Sequence, residues 1–244
     1  MVESFIIAWN EEDTIGLTID YYKRFGPVNL FDNFSTDRTR EIAEEHGAKV
    51  MLFGQQGILS DKAYLKVKNH CWKTSKADWV IVCDADEVLW HHELEKVLNE
   101  EKGTIFNTYG WNVYSHEIPG SWLDVTSGIH APNFSKKIIF RPTLQAINYE
   151  YGCHRCEPRG DVRYSDIILT VFHYRNVGGP QRLCNRHKIY RERMSPLNRE
   201  LKLGHHYLQE DQRRIREWNE FYEKSKTYSP DFAYSLQGPV HLNP

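Results

Sequence analysis

Asp78-Trp79-Val80-Ile81-Val82-Cys83-Asp84-Ala85-Asp86-Glu87 joins an uninterrupted apolar run to a cluster of acids. A run without alternation predicts a strand covered on both faces. Two carboxylates spaced i, i+2 on the extended segment beyond it can point to the same side. A hard divalent cation takes such oxygen ligands and keeps open positions for phosphate oxygens. Asp-x-Asp alone is equally a solvated loop, so its weight depends on the chain around it.

Upstream, Phe5 to Trp9 is a short apolar run that ends in Asn10-Glu11-Glu12-Asp13, and Ile15, Leu17, Ile19 and Tyr22 then have amphipathic helical spacing. Pro27 to Phe31 predicts a second strand, Asp32 to Asp37 a polar turn, and Arg38 to His46 a helix stopped by Gly47. Lys49 to Phe53 predicts a third strand, and Asp61 to Ser75 a helix. Such alternation predicts a mainly parallel, three-layer α/β sheet, whose ligands bind beyond the carboxyl ends of its strands. Three polar clusters fall at those ends: residues 10–13, 32–37 and 84–87.

The 244 residues suit one domain, residues 1–244, with about 1–100 carrying the three polar clusters, about 101–200 of different character and about 205–244 as a helical tail. Short strands at 104–106, 111–114, 137–140 and 167–173 fit a mixed extension of the sheet, followed by charged helices at about 181–193 and 209–226. A formal charge of −2 excludes the large basic excess of a nonspecific nucleic-acid binder. Five scattered cysteines fit a reducing, cytoplasmic compartment. No run approaches the ~20 apolar residues of a membrane span. Trp218 to Tyr222 could meet a membrane surface peripherally, but the alternating charges around it read as a solvated amphipathic helix.

Ala8-Trp9-Asn10-Glu11-Glu12, then Asp32-Asn33-x-Ser35-Thr36-Asp37-x-Thr39, then Asp78 to Glu87 resembles the family 2 glycosyltransferases, in that order and at similar spacing. The resemblance implies the GT-A fold, a three-layer α/β/α sandwich with a mainly parallel sheet, with about 1–100 as the nucleotide-sugar-binding half and about 101–200 as the acceptor-side half. It also implies a metal-dependent, inverting transfer of a sugar from a nucleotide-diphosphate donor, by default a UDP-sugar, to a hydroxyl of a glycan or other acceptor. The nucleoside would be held by Ala8, Trp9, Glu11, Asp32 and Asn33. Asn33 stands where the family commonly has Asp; an amide still offers both an acceptor and a donor. Asp61, Lys62 and Lys66 would reach toward the nucleotide. Asp84, with Ala85, would lie near the ribose and metal, and Asp86 would ligate Mn2+ or Mg2+ directly. Glu87 would orient the acids or begin a helix.

In the second half, His173 ends an apolar strand and can supply a neutral imidazole to the same metal. Its spacing to Lys188 and Tyr190 resembles the family's late His, Lys, Tyr pattern, and Arg182 and Lys188 suit a diphosphate. Inverting transfer needs a base for the acceptor hydroxyl. Asp124, Glu157 and Asp161 are candidates, with His154 as a neighbour that could hold the sugar. Cys153-His154-Arg155-Cys156 lacks the second ligand pair of a closed zinc site. A haloacid-dehalogenase-type phosphatase would carry Asp-x-Asp on its first strand, and a silent sugar-binding module could share the fold.

Overall fold

The computed structural model describes residues 1–125 and 127–227. Four strands run parallel: β1 (Val2–Ala8), β2 (Val28–Asp32), β3 (Lys49–Leu52) and β4 (Trp79–Asp84), in the order β3-β2-β1-β4. Helices α1 (Ile15–Tyr22), α2 (Thr39–Glu45) and α3 (Asp61–His70) connect them. The apolar runs reflect burial on both sheet faces. In β4, Trp79, Ile81 and Cys83 enter one core cluster while Val80 and Val82 enter the other. In β1, Ile6 and Ala8 alternate with Phe5 and Ile7 in the same way. Every residue of such a strand meets apolar neighbours, so the sequence shows no period of two.

Beyond β4 come β5 (Glu87–Trp90), α4 (Leu94–Glu100), β6 (Ile105–Ser115), β7 (Ser127–His130), β8 (Ile139–Phe140) and β9 (Tyr164–Val177). Strand β8 pairs antiparallel between β4 and β6, and the long β9 lies parallel to β6 and antiparallel to β5. The sheet is therefore parallel in its first half and mixed in its second, as expected. The segments read as separate strands at 104–106 and 111–114 are one strand. Gly110 permits this continuity, because a Cβ there would lie 2.4 Å from the Phe134 backbone.

The chain reverses after β9 through Gly178 and Gly179, both with φ near +80° (81° and 79°), a backbone that L side chains rarely adopt. This reversal lays α5 (Gly179–Arg193) beside the carboxyl end of β1. Helices α6 (Pro196–Glu200) and α7 (Asp211–Lys224) and strand β10 (Lys226–Thr227) follow. Helix α7 is anchored by buried Arg214 and Trp218, whose indole donates to the Asn176 carbonyl at 3.1 Å. That burial, with Tyr114 packed on Trp218, accounts for its apolar face without a membrane. No helix among the described residues is long and apolar enough to cross a membrane. The part of the expected helical tail at 228–244 lies outside the described residues.

Candidate active site

The first two polar clusters interlock. Asn10, at φ +50°, donates its backbone N–H to Ser35 Oγ at 2.9 Å, and its side-chain carbonyl accepts from the Thr36 N–H at 2.8 Å. The Glu11 N–H reaches Thr39 Oγ1 at 2.7 Å, and Glu12 accepts from the Arg38 N–H at 3.0 Å. Asp32 is fully buried, and its carboxylate takes both the N–H (2.8 Å) and the hydroxyl of Ser35. Asn33 donates to the Phe53 carbonyl at 3.1 Å and accepts from Arg193 at 2.8 Å. Much of the aspartate-rich turn is thus occupied in shaping the strand ends.

A cleft of about 410 Å³ opens at the carboxyl ends of β1 and β4. Ala8, Trp9 and Glu11 line it from β1, Asp84, Ala85 and Asp86 from β4, and Asp61, Tyr64 and Lys68 from α3. The α3 residues are spaced i, i+3, i+7, one face of a helix. Lys62 and Lys66 lie on the opposite, exposed face, so the lysine that reaches the cleft is Lys68. The same periodicity corrects α5. Arg186 and Tyr190, spaced i, i+4, face the cleft, whereas Lys188 is exposed on the far side. Arg182 is drawn aside by Asp13 at 3.5 Å and Glu11 at 3.9 Å.

Asp84 is held by two buried cations: Lys68 Nζ lies 2.6 Å from Oδ1 and Lys136 Nζ 3.3 Å from Oδ2. Burial raises the Asp84 carboxyl, but Lys68 and Lys136 outweigh it and hold it well below its ordinary range. Glu87 opens β5 rather than a helix. Fully buried, it pairs with Lys136 and accepts the Asp84 N–H at 3.0 Å. It therefore orients the acid-bearing loop. Both lysines are pushed up by these carboxylates despite burial that would lower them.

Asp86 faces a different partner: its Oδ2 lies 3.7 Å from His173 Nε2. Strand β9 brings His173 there by pairing it with Glu87 of β5. His173 Nδ1 lies 2.7 Å from Asn112 Oδ1, and its ring stacks on Phe134 at 3.8 Å between centroids. Burial drives its titration well below the usual imidazole range, so the ring is neutral. With Nδ1–H donating to Asn112, the Nε2 lone pair is left toward Asp86. Among the described residues no three His, Cys, Asp or Glu side chains cluster as a metal cage.

Glu11 is pushed up to about 6 by burial, against the lowering effect of Arg186. Arg186 pairs with Glu11 and reaches Tyr190 Oη at 3.1 Å. Arg175, His154 and residues 202–207 complete the walls.

The three carboxylates considered as bases do not reach the cleft. Asp124 caps a short helical turn through the Ser121 N–H at 2.8 Å, Glu157 pairs with Arg159 at 3.5 Å, and Asp161 with Arg163 at 3.0 Å; all three are exposed. They belong to surface turns whose local pairing satisfies them. His154 does line the cleft.

A model of glycosyl transferase family 2 matches residues 5–154, more than half of the 244 residues. An uncharacterized glycosyltransferase of Rickettsia typhi is 34% identical over 114 residues, 46% of this chain and 35% of the relative. One of Rickettsia conorii is 33% identical over 114 residues, covering 46% and 36%. The matched stretch thus spans about a third of these curated relatives, 35% and 36% of their lengths. Among solved structures, S. aureus TarS (residues 1–349) covers 83% of this chain and 72% of its own at 15% identity and a TM-score of 0.44. Glucosyl-3-phosphoglycerate synthase from Mycobacterium tuberculosis, in complex with Mn2+, UDP and glucosyl-3-phosphoglycerate, covers 45% and 44% at 21% identity and a TM-score of 0.34. With an α/β sheet of the expected topology and the family match running from β1 to the cleft wall at His154, this chain has the GT-A fold and belongs to glycosyl transferase family 2.

Proposed function

We propose that the cleft binds a nucleoside-diphosphate sugar, a UDP-sugar by family default, and transfers the sugar with inversion to a hydroxyl of a glycan or other acceptor. The observation that carries this reading is His173 Nε2 set 3.7 Å from the Asp86 carboxylate at the cleft floor. One carboxylate and one imidazole fit a Mn2+ or Mg2+ ion that keeps most of its positions for diphosphate oxygens and water. Asp84 leaves the ligand set in this arrangement, because Lys68 and Lys136 already hold its two oxygens. When bound, the cation offsets the charge that develops on the leaving nucleoside diphosphate.

The chain's own residues supply the rest. Arg175 and Arg186 face the cleft as guanidiniums suited to phosphate oxygens. Trp9 and Tyr190, 5.6 Å apart, form an aromatic wall suited to a base or sugar face.

Thermal shift with UDP-glucose, UDP-galactose, UDP-N-acetylglucosamine and GDP-mannose, with and without Mn2+, tests this reading. A ligand at ~100 times its Kd contributes about 2.7 kcal/mol, which for a chain of this size raises the melting temperature by about 5–10 °C. The rise is expected only with Mn2+ and is expected to vanish in Asp86→Ala. Stabilisation that needs no metal and survives that substitution would sink the proposed site. Lys62→Ala, Lys66→Ala and Lys188→Ala are expected to leave the shift within about 1 °C of the parent, because their side chains point to solvent. Lys68→Met is expected to lower it.

A further inference from the structure

Inverting transfer requires a group to accept the acceptor's proton, and the cleft restricts the choice. Its carboxylates are Glu11, Asp61, Asp84 and Asp86. Each is engaged: Glu11 by Arg186, Asp61 by Asn198 at 2.8 Å, Asp84 by two lysines, and Asp86 opposite His173. No Asp or Glu of the chain beyond residue 86 lines the cleft among the described residues. The wall formed by residues 151–154 contributes an imidazole instead.

His154 sits on a backbone turned inward by Gly152 and Cys153, at φ +79° and +56°. Its Nδ1 lies 2.6 Å from the Asn133 carbonyl, an acceptor only, so Nδ1 carries the proton and Nε2 a free lone pair. The ring packs edge-on against Phe134, 5.3 Å between centroids, and Phe134 in turn stacks on His173. The imidazole is thus fixed in tautomer and orientation, one ring away from the Asp86 and His173 pair, packed on one side against Phe134 and still partly open to solvent on the cleft wall.

We propose that His154 is the catalytic base of this glycosyltransferase, a role that rests on the donor site argued above. As the acceptor oxygen bonds to the anomeric carbon, its proton passes to His154 Nε2. The bond from that carbon to the diphosphate oxygen breaks, and its electron pair leaves with the nucleoside diphosphate. The Asn133 carbonyl then steadies the imidazolium through Nδ1–H. Burial and Lys136 lower the titration of His154, while Asn133, Glu87 and Asp84 raise it in part; His206 is a further neighbour. The ring is neutral and ready to accept a proton at pH 7.

Hydrolysis of the best donor from the panel, with water as acceptor, reads this step without knowledge of the natural acceptor. His154→Ala and His154→Gln are expected to hydrolyse it about 100-fold more slowly than the parent, with the UDP and Mn2+ thermal shift unchanged. Added imidazole is expected to restore part of the rate to His154→Ala and little to His154→Gln, whose amide fills the space. Hydrolysis within threefold of the parent would overturn the assignment, as would a loss that tracks UDP binding or is indifferent to imidazole. A parent that neither binds nor cleaves any donor of the panel removes the donor site itself, and the base with it.

Discussion

Lys136→Met is expected to destabilise the protein by about 3–5 kcal/mol, the usual cost of removing one partner from a buried ion pair. The lysine side chain is 4% exposed and its partner Glu87 0%, so water cannot replace the lost contact. Lys68 still holds Asp84 in this variant, and the uncompensated charge is that of Glu87. Lys136→Met combined with Glu87→Leu should therefore recover most of the loss, since apolar replacement of a whole buried pair is often neutral. Chemical denaturation of the parent, both single variants and the double variant measures this coupling. A double variant as unstable as the sum of the singles would show that the pair is not the source.

The pH dependence has a definite sign. Lys136 is raised above its unfolded value of 10.5, so its contribution is full at pH 7 and is lost only as pH rises through the folded value. Asp84 is depressed below 3.8, so its contribution is present above that value and is lost as pH falls toward the folded one. The contributions of Lys136 and Asp84 to the parent's stability should therefore both be flat from about pH 5 to 9.

What the sequence disclosed follows from what kind of order sets each feature. Strands β1 and β4 were legible because burial on both faces leaves an uninterrupted apolar run, and the polar clusters at their ends were legible by position. The neighbouring side chains were less so. The i, i+7 spacing from Asp61 marks Lys68, rather than Lys62 or Lys66, as the α3 lysine on the cleft side. On α5 the i, i+4 spacing of Arg186 and Tyr190 carries the same signal and sets Lys188 on the exposed side. Lys136 lies in a loop with no periodicity, and its pairing with Glu87 depends on β8 inserting beside β4; nothing local announces that. Likewise Asp124, Glu157 and Asp161 were attractive as acids, but a sequence does not reveal that each is satisfied by a near neighbour in its own surface turn. His173 was legible as the end of an apolar strand, whereas its partner Asn112 comes from β6, 61 residues away.

Asp86→Ala should lower donor turnover by about 10³-fold while leaving the fold nearly untouched. The two acids of the loop differ physically. Asp84 is a hub for two buried lysines, so its removal forces two cations together and should cost stability first. Asp86 is 13% exposed and faces the His173 imidazole at 3.7 Å, and the partly buried Arg186, whose charge it also favours, keeps Glu11 as its direct partner. Its loss should change stability by less than about 1 kcal/mol, a shift of no more than about 4 °C in melting temperature. The proposed metal contribution of roughly 4 kcal/mol to the barrier corresponds to the predicted 10³-fold loss. Asp86→Asn keeps the volume but replaces a charged oxygen with an amide, and should fall nearly as far. Steady-state hydrolysis of the donor at several Mn2+ concentrations decides the matter. In the parent, a chelator should abolish activity and added Mn2+ restore it. In Asp86→Ala, excess Mn2+ should restore little, because the carboxylate that would bind it beside His173 is gone. Turnover within threefold of the parent, at unchanged Mn2+ dependence, would move the metal away from Asp86 and His173.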